Sequence, residues 1–202
     1  MGRGNWRNWL LENIGAHGGD LDRVVLAGES AGANLVTSLA IALSDPRPEP
    51  WARAVFDSGT VPRAVLAACG VFEVSGMDRY LSDSSIPGWM KGRLVEVSSS
   101  YLPSGALPDS LGDPLLILES GRALDRALPP FFLPVGERDF LVDDSRRLQA
   151  SLAAREVPCE LQVFPGEGHA FHAMIWKDAA RSCWKSQREF MSRYVPGVVA
   201  AR

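Results

Sequence analysis

The pattern Gly-x-Ser-x-Gly occupies residues 28–32, with Ser30 at its centre. It follows the apolar run of residues 24–27 and opens a segment with helical periodicity, residues 30–43. A sharp strand-to-helix turn exposes its central side chain, and glycines are expected on both sides because larger residues would collide with the strand and the helix. The positive end of the helix dipole lies at the same place. We therefore predict that Ser30 is a nucleophile and that the backbone N–H of Ala31 faces a developing oxyanion.

A serine hydroxyl needs a general base, and the base needs an orienting carboxylate. The chain has three histidines. His17 precedes Ser30, whereas the order that accompanies this type of turn is serine, acid, histidine. His172 is interpreted as a surface or helix-cap residue. His169 lies in the glycine-flanked loop PGEGHAF, which follows a predicted strand, so the sequence favours His169 as the base.

The acid is expected at the carboxyl end of the strand that precedes the histidine loop. Asp139 follows the apolar run FFLPVGE and meets that condition. Glu137, Asp143 and Asp144 are the alternatives, and the last two resemble helix-capping residues. Asp139 is therefore the predicted orienting carboxylate.

The elements that must position these residues alternate between strands and helices. This alternation predicts an α/β fold, with a mainly parallel sheet flanked by helices and about four core strands. The segment 73–113 is rich in Ser, Gly and Pro and predicts a lid-like or irregular insertion within a single domain, 1–202. The predicted strands are 24–27, 64–68, 131–135 and 160–164; the predicted helices are 6–14, 30–43, 145–156 and 171–194, the last with Ile175, Ala179, Cys183 and Phe190 facing inward.

The composition is that of a globular protein. The 202 residues include 21 Lys and Arg against 24 Asp and Glu, a net charge of −3, and 46% are hydrophobic. This balance argues against a nucleic-acid-binding protein, and no apolar run is long enough to span a membrane. Three cysteines without a C-x-x-C motif predict free thiols and a cytoplasmic location. The N-terminal residues do not resemble a secretory signal.

Three segments together resemble a known family. They are NWLLENIGAHGGDLDRVVLAGESAGANL, PVGERDFLVDDSRRLQASL and VFPGEGHAFHAM, and they are similar to the carboxylesterase/lipase family of α/β-hydrolases related to hormone-sensitive lipase. The resemblance covers about residues 5–45 and 113–195. It implies hydrolysis of small-molecule carboxylic esters through an acyl-enzyme, with no metal or organic cofactor. It also implies that Ser30 is the nucleophile, His169 the base and then the acid, and Asp139 the orienting residue. The same three residues would also serve an amide or peptide hydrolase.

The sequence departs from that family before the Gly-x-Ser-x-Gly turn. Family members carry several earlier strands and helices and an HGGG-type loop that supplies oxyanion N–H groups. Residues 17–19, His-Gly-Gly, look like that loop but directly precede the predicted strand, so we interpret them as a plain turn. The resemblance thus predicts an N-terminally shortened hydrolase that has the C-terminal portion of the fold. Two consequences are expected: an apolar strand edge open to pairing with a second copy, and an oxyanion hole reduced to the Ala31 N–H. A catalytically impaired fragment is therefore the alternative to an active esterase.

Overall fold

The computed structural model describes residues 13–84, 86, 88–101 and 109–198. The predicted helix over 6–14 lies outside these residues except for its last two positions. The described chain begins with two short 3₁₀ turns, Ile14–His17 and Leu21–Arg23, that lead into the first strand.

Within these described ranges, four parallel strands form one sheet in the order β1-β2-β3-β4. This confirms the predicted α/β class and places all four predicted strands within two residues of their observed ends. The β2–β3 pairing covers only Val65 and Leu66 against Phe131 and Phe132. Pro134 lies beyond that pairing and has no N–H to donate, which explains why the ladder is short. The strands are β1 (Val25–Glu29), β2 (Ala64–Ala68), β3 (Phe131–Gly136) and β4 (Cys159–Phe164).

Helices cover both faces of the sheet. The helices are α1 (Ala31–Ser44), α2 (Pro50–Phe56), α3 (Gly88–Tyr101), α4 (Pro114–Glu119), α5 (Val142–Ala153) and α6 (Asp178–Tyr194). Successive strand residues point to opposite faces. Val65 and Leu133 pack in one core with residues of α1 and α5, whereas Leu66 and Phe132 pack against Phe190 of α6. The central strands β2 and β3 are therefore buried between α1 and α5 on one side and α6 on the other.

The last helix begins later than predicted. Residues Phe171–Ala173 form a 3₁₀ turn, and α6 starts at Asp178 instead of residue 171. Ala170 has a left-handed φ of 56°, and the N–H groups of Met174 and Lys177 bond three residues back instead of four. Ile175 consequently lies outside the helix and is 66% exposed, so its predicted inward position is wrong. Cys183 and Phe190 are buried as predicted.

The segment 73–113 contains regular structure that the sequence did not predict. It holds a 3₁₀ turn, Met77–Tyr80, and the helix α3. Its apolar side chains form a second small core that also includes Leu141, two residues after Asp139. The segment therefore packs beside the loop that follows β3. The members of this core are Val71, Val74, Met77, Tyr80, Ile86, Leu94 and Leu141.

The two edges of the sheet are β1 and β4. Within the described part of the chain, β1 pairs only with β2. Pairing of this edge with a second copy stays a prediction. Among the helices of the described residues, none is both long enough and apolar enough to cross a bilayer.

Candidate active site

Ser30 lies at the sharp turn between β1 and α1. Its φ of 55° and ψ of −115° are unusual for a residue with a side chain. The Ser30 N–H donates to the Ala68 carbonyl at 2.9 Å, which fixes the turn to the end of β2. A Cβ on Gly28 would lie 2.2 Å from the Gly32 carbonyl oxygen, so only glycine fits there. A Cβ on Gly32 would instead meet open space, so the predicted collision at that second glycine is wrong.

The three predicted side chains meet at the carboxyl end of the sheet. Ser30 Oγ lies 3.1 Å from His169 Nε2, and His169 Nδ1 lies 2.9 Å from Asp139 Oδ2. The other oxygen of Asp139 accepts the Leu141 N–H at 3.0 Å. These distances form one continuous hydrogen-bonded line from hydroxyl to imidazole to carboxylate.

A close backbone approach brings the histidine loop to Asp139. Gly136 ends β3, and a Cβ there would lie 2.4 Å from the Glu167 carbonyl oxygen and 2.6 Å from that of Gly168. The Arg138 N–H donates to the same Glu167 carbonyl at 2.8 Å. Glycine at position 136 is therefore what allows the loop that carries His169 to lie against the end of β3.

The surroundings of His169 raise its pKa. Burial lowers the pKa, but the hydrogen bond and the charge of Asp139, together with the charge of Glu29, outweigh burial. Asp139 is itself buried, so its charge is poorly screened. The protonated form of the imidazole is thus stabilised beside the Asp139 carboxylate, and Nε2 of the ring faces the Ser30 hydroxyl.

A protein-family model described as alpha/beta hydrolase fold matches residues 5–173. The chain belongs to this α/β-hydrolase family. Three solved structures show the same architecture. An esterase/lipase from an uncultured bacterium shares 20% identity at a TM-score of 0.66, with 93% of this chain and 57% of that chain covered. An esterase from the bacterial hormone-sensitive lipase family shares 25% identity at a TM-score of 0.66, with 93% and 57% covered. The esterase LipW from Mycobacterium marinum shares 19% identity at a TM-score of 0.69, with 92% and 54% covered.

This α/β-hydrolase chain therefore spans a little over half the length of the structures it resembles. The predicted membership of the α/β-hydrolase family is thus confirmed. The four-stranded parallel sheet corresponds to the C-terminal portion of the fold that the resemblance predicts.

The three carboxylates that were alternatives to Asp139 have other partners in the structure. Glu137 accepts the Gly166 N–H and helps to shape the histidine loop of the α/β-hydrolase. Asp143 is exposed and pairs with Arg146. Asp144 is buried instead of capping a helix, because one of its oxygens accepts the N–H groups of Phe72 and Glu73. Helix α5 begins at Val142 after Leu141, so neither Asp143 nor Asp144 is its cap, and the interpretation of both as capping residues is wrong.

The two other histidines also differ in their surroundings. His17 lies in the exposed turn before β1, consistent with its interpretation as part of a plain turn. His172 is 5% exposed, and its Nε2 lies 3.0 Å from Glu29 Oε2. Its interpretation as a surface or cap residue is therefore wrong. His169 lies before the 3₁₀ turn Phe171–Ala173, and Ala170 between the two histidines has a left-handed φ, so no local periodicity could have placed His172 beside Glu29.

Cys69 is a buried neighbour of the site that sequence reasoning missed. It follows β2 with a left-handed φ of 48°. Burial raises the pKa of its thiol to about 12, and the charge of Asp139 adds to that effect. Its sulfur, a carboxylate oxygen of Asp139 and a ring nitrogen of His169 all lie within 4.8 Å of one another. Because Asp139 and His169 already bond each other and the thiol resists deprotonation, this group fits proton transfer better than a metal ion. Cys69, Cys159 and Cys183 are all free thiols, as predicted.

Proposed function

We propose that this chain is a serine hydrolase that cleaves small-molecule carboxylic esters through an acyl-enzyme. The proposal rests on one observation, the hydrogen-bonded line that joins Ser30 Oγ, His169 Nε2 and Asp139. Family membership and the similarity to an esterase of the hormone-sensitive lipase family support ester substrates.

In the first half of the reaction, Ser30 Oγ attacks the carbonyl carbon of the ester while His169 Nε2 takes the hydroxyl proton. The carbonyl π electrons move to oxygen and form a tetrahedral oxyanion. The carbon–oxygen bond to the alcohol then breaks, and His169 gives its proton to the departing alcohol. The acyl group remains on Ser30.

The Ala31 N–H is the proposed donor to the oxyanion. Ala31 is the first residue of α1, so its N–H has no acceptor within the helix. The N-terminus of the helix also places a partial positive charge beside the developing negative oxygen.

In the second half, water replaces the alcohol. His169 takes a proton from water, the hydroxyl oxygen attacks the acyl carbon, and the second tetrahedral intermediate collapses to the carboxylic acid. The proton returns from His169 to Ser30 Oγ. Through both halves Asp139 accepts the Nδ1–H of His169, which keeps Nε2 directed at Ser30 and stabilises the imidazolium.

Hydrolysis of p-nitrophenyl acyl esters by the purified chain tests the proposal, with Ser30→Ala as the decisive variant. We expect Ser30→Ala to lower kcat/KM by about 10³-fold or more, because both halves of the reaction need the Ser30 oxygen. Ser99→Ala is the matched control, since Ser99 is exposed on α3 and its hydroxyl donates to a backbone carbonyl of the same helix. Equal rates for the parent chain and Ser30→Ala would contradict the proposal.

Covalent labelling separates an impaired enzyme from a chain without this chemistry. A fluorophosphonate should attach to Ser30 and give a labelled peptide in mass spectrometry, even where turnover is slow. Absence of the label from a folded chain would contradict an activated serine. Comparison of a p-nitrophenyl ester with the corresponding p-nitroanilide distinguishes ester from amide hydrolysis.

A further inference from the structure

A second histidine–carboxylate contact lies beside the Ser30–His169 pair. Glu29 immediately precedes Ser30 at the end of β1, and its Oε2 accepts a hydrogen bond from His172 Nε2 at 3.0 Å. His172 follows His169 by three residues. The two contacts, 30 with 169 and 29 with 172, therefore join the same two segments of the chain twice.

The His172 ring is held in place by packing. It contacts the rings of Phe171 and Trp184 edge to face, with centroids 5.6 and 5.9 Å away. The indole N–H of Trp184 donates to the His172 carbonyl at 2.9 Å, which anchors the turn to α6. Within the described residues the ring's Nδ1 is buried without a hydrogen-bond partner. The Glu29 carboxylate is therefore the polar contact that the structure gives to this buried ring.

We propose that Glu29 and His172 form a positioning pair that holds the His169 loop against the Ser30 turn and adds a second negative charge beside the His169 ring. The inference rests on the proposed function, since it gives these residues a role in the same site. The hydrogen bonds to Glu137, Arg138 and Asp139 hold this loop to the end of β3. The Glu29–His172 bond adds a second contact to the end of β1, three residues after the His169–Ser30 contact. Fixing the loop matters because an error of about 1 Å in the position of a general base can cost about 100-fold in rate.

The charged and titratable groups around His169 come from each neighbouring element. Asp139 follows β3, Glu29 ends β1 and Cys69 follows β2. Glu167, in the histidine loop itself, is paired with Lys177. Of the carboxylates, Asp139 and then Glu29 raise the pKa of His169 against the lowering effect of burial.

The sign of the pH effect follows from the role of the base. His169 must be unprotonated to accept the Ser30 proton, so activity falls as the pH drops through its pKa. Loss of the Glu29 charge lowers that pKa, and the acidic limb of kcat/KM then moves to lower pH. The Glu29 side chain is 42% exposed, so solvent and salt moderate the shift.

Three variants separate the charge of the pair from its hydrogen bond. Glu29→Gln removes the charge but keeps an acceptor for His172, so we expect a lower His169 pKa and a smaller loss of kcat than in Glu29→Ala. Glu29→Ala should give the same pKa shift and a loss of kcat of about tenfold with little change in KM, because the hydrogen bond is also gone.

His172→Phe fills the ring site and keeps the Glu29 charge, so kcat should fall without a lowered His169 pKa. Asp143→Asn removes an exposed charge elsewhere and should change neither quantity.

NMR titration of the imidazole signals measures the His169 pKa without any need for turnover. The chain has three histidines, and variants at His17 and His172 assign the remaining signal to His169. An unchanged His169 pKa in Glu29→Gln, or unchanged kcat in both Glu29→Ala and a folded His172→Phe, would overturn the inference. Thermal melting shows whether each variant folds. Because the Glu29 side chain is partly exposed, Glu29→Gln still tests the inference if His172→Phe does not fold. A parent chain that hydrolyses no ester would contradict the proposed function, while the titration would still test the pair.

Discussion

The strand that leads to Ser30, β1, and the strand that leads to Asp139, β3, are held in different ways. All six residues of β3 are buried, and β3 pairs with a strand on each side. No residue of β1 is fully buried, and in the described part of the chain β1 pairs on one side only. The carboxylate side of the site, which is the end of β3 with Asp139, is thus supported by apolar packing. The serine side, which is the end of β1 with Ser30, has less apolar packing.

Polar contacts support the serine side instead. Asn34, one turn into α1, is buried and donates to the carbonyls of Val71 and Gly112 at 2.8 and 2.9 Å. Its carbonyl oxygen accepts the hydroxyl of Tyr101 on α3 at 3.1 Å. The candidate site thus combines a His169–Asp139 pair beside the buried strand β3 with a Ser30 turn supported by hydrogen bonds. The carboxylate side and the serine side should therefore respond differently to apolar and polar substitutions.

The largest expected effect is that of an apolar substitution in β3, compared with the same substitution in β1. Leu133→Ala in β3 removes a fully buried side chain and should lower the free energy of unfolding by about 3–4 kcal/mol. Leu26→Ala in β1 removes a partly buried side chain of the same type and should cost about half as much. Urea unfolding of both variants measures the difference. Equal costs would show that β1 is packed as tightly as β3.

A smaller effect is expected from two adjacent carboxylates after β3. The Asp144 side chain is 1% exposed and also accepts from Arg79 and the Tyr80 hydroxyl. Asp144→Asn brings an amide N–H toward these donors and should lower the free energy of unfolding by about 3 kcal/mol. Asp143, with a side chain 77% exposed, is the control, and Asp143→Asn should cost less than about 0.5 kcal/mol. Similar unfolding midpoints for the two variants would show that the buried network contributes little.

The smallest effect is expected at the polar support of α1. Asn34→Ala leaves the Val71 and Gly112 carbonyls without this donor and should lower the free energy of unfolding by about 1–2 kcal/mol. Its exposed neighbour is the control, and Leu35→Ala should change stability by less than about 0.5 kcal/mol. If the serine side depends on polar contacts, Asn34→Ala should also lower ester hydrolysis more than Leu26→Ala does. The reverse order in a p-nitrophenyl ester assay would contradict the comparison.

Adjacent residues of one type show where sequence reasoning reached its limit. The sequence predicts the same capping role for Asp143 and Asp144, but α5 starts at Val142, three residues before the predicted start, so both lie inside its first turn and neither is the cap. That start turns Asp144 toward the N–H groups of Phe72 and Glu73. These partners lie about seventy residues away in the chain, so no local pattern could reveal them.

The helix α3 was missed for a related reason. Its sequence, GWMKGRLVEVSSSY, contains two glycines and three consecutive serines, which have low helix propensity. Leu94 is buried in the small core beside Leu141. Tertiary packing of this kind outweighs local propensity, and only the folded chain supplies it.

The sequence by itself predicted the four strands and singled out Ser30, Asp139 and His169, three side chains that the structure brings together. Apolar runs reveal buried strands, and a nucleophile, a carboxylate and a base are recognisable by residue type and by their place at strand ends. The tertiary structure decided what surrounds them: the Glu29–His172 contact, the burial of Cys69 and the network around Asp144. These contacts join residues far apart in the chain, and their strength depends on burial and distance, which come into existence only when the elements pack together.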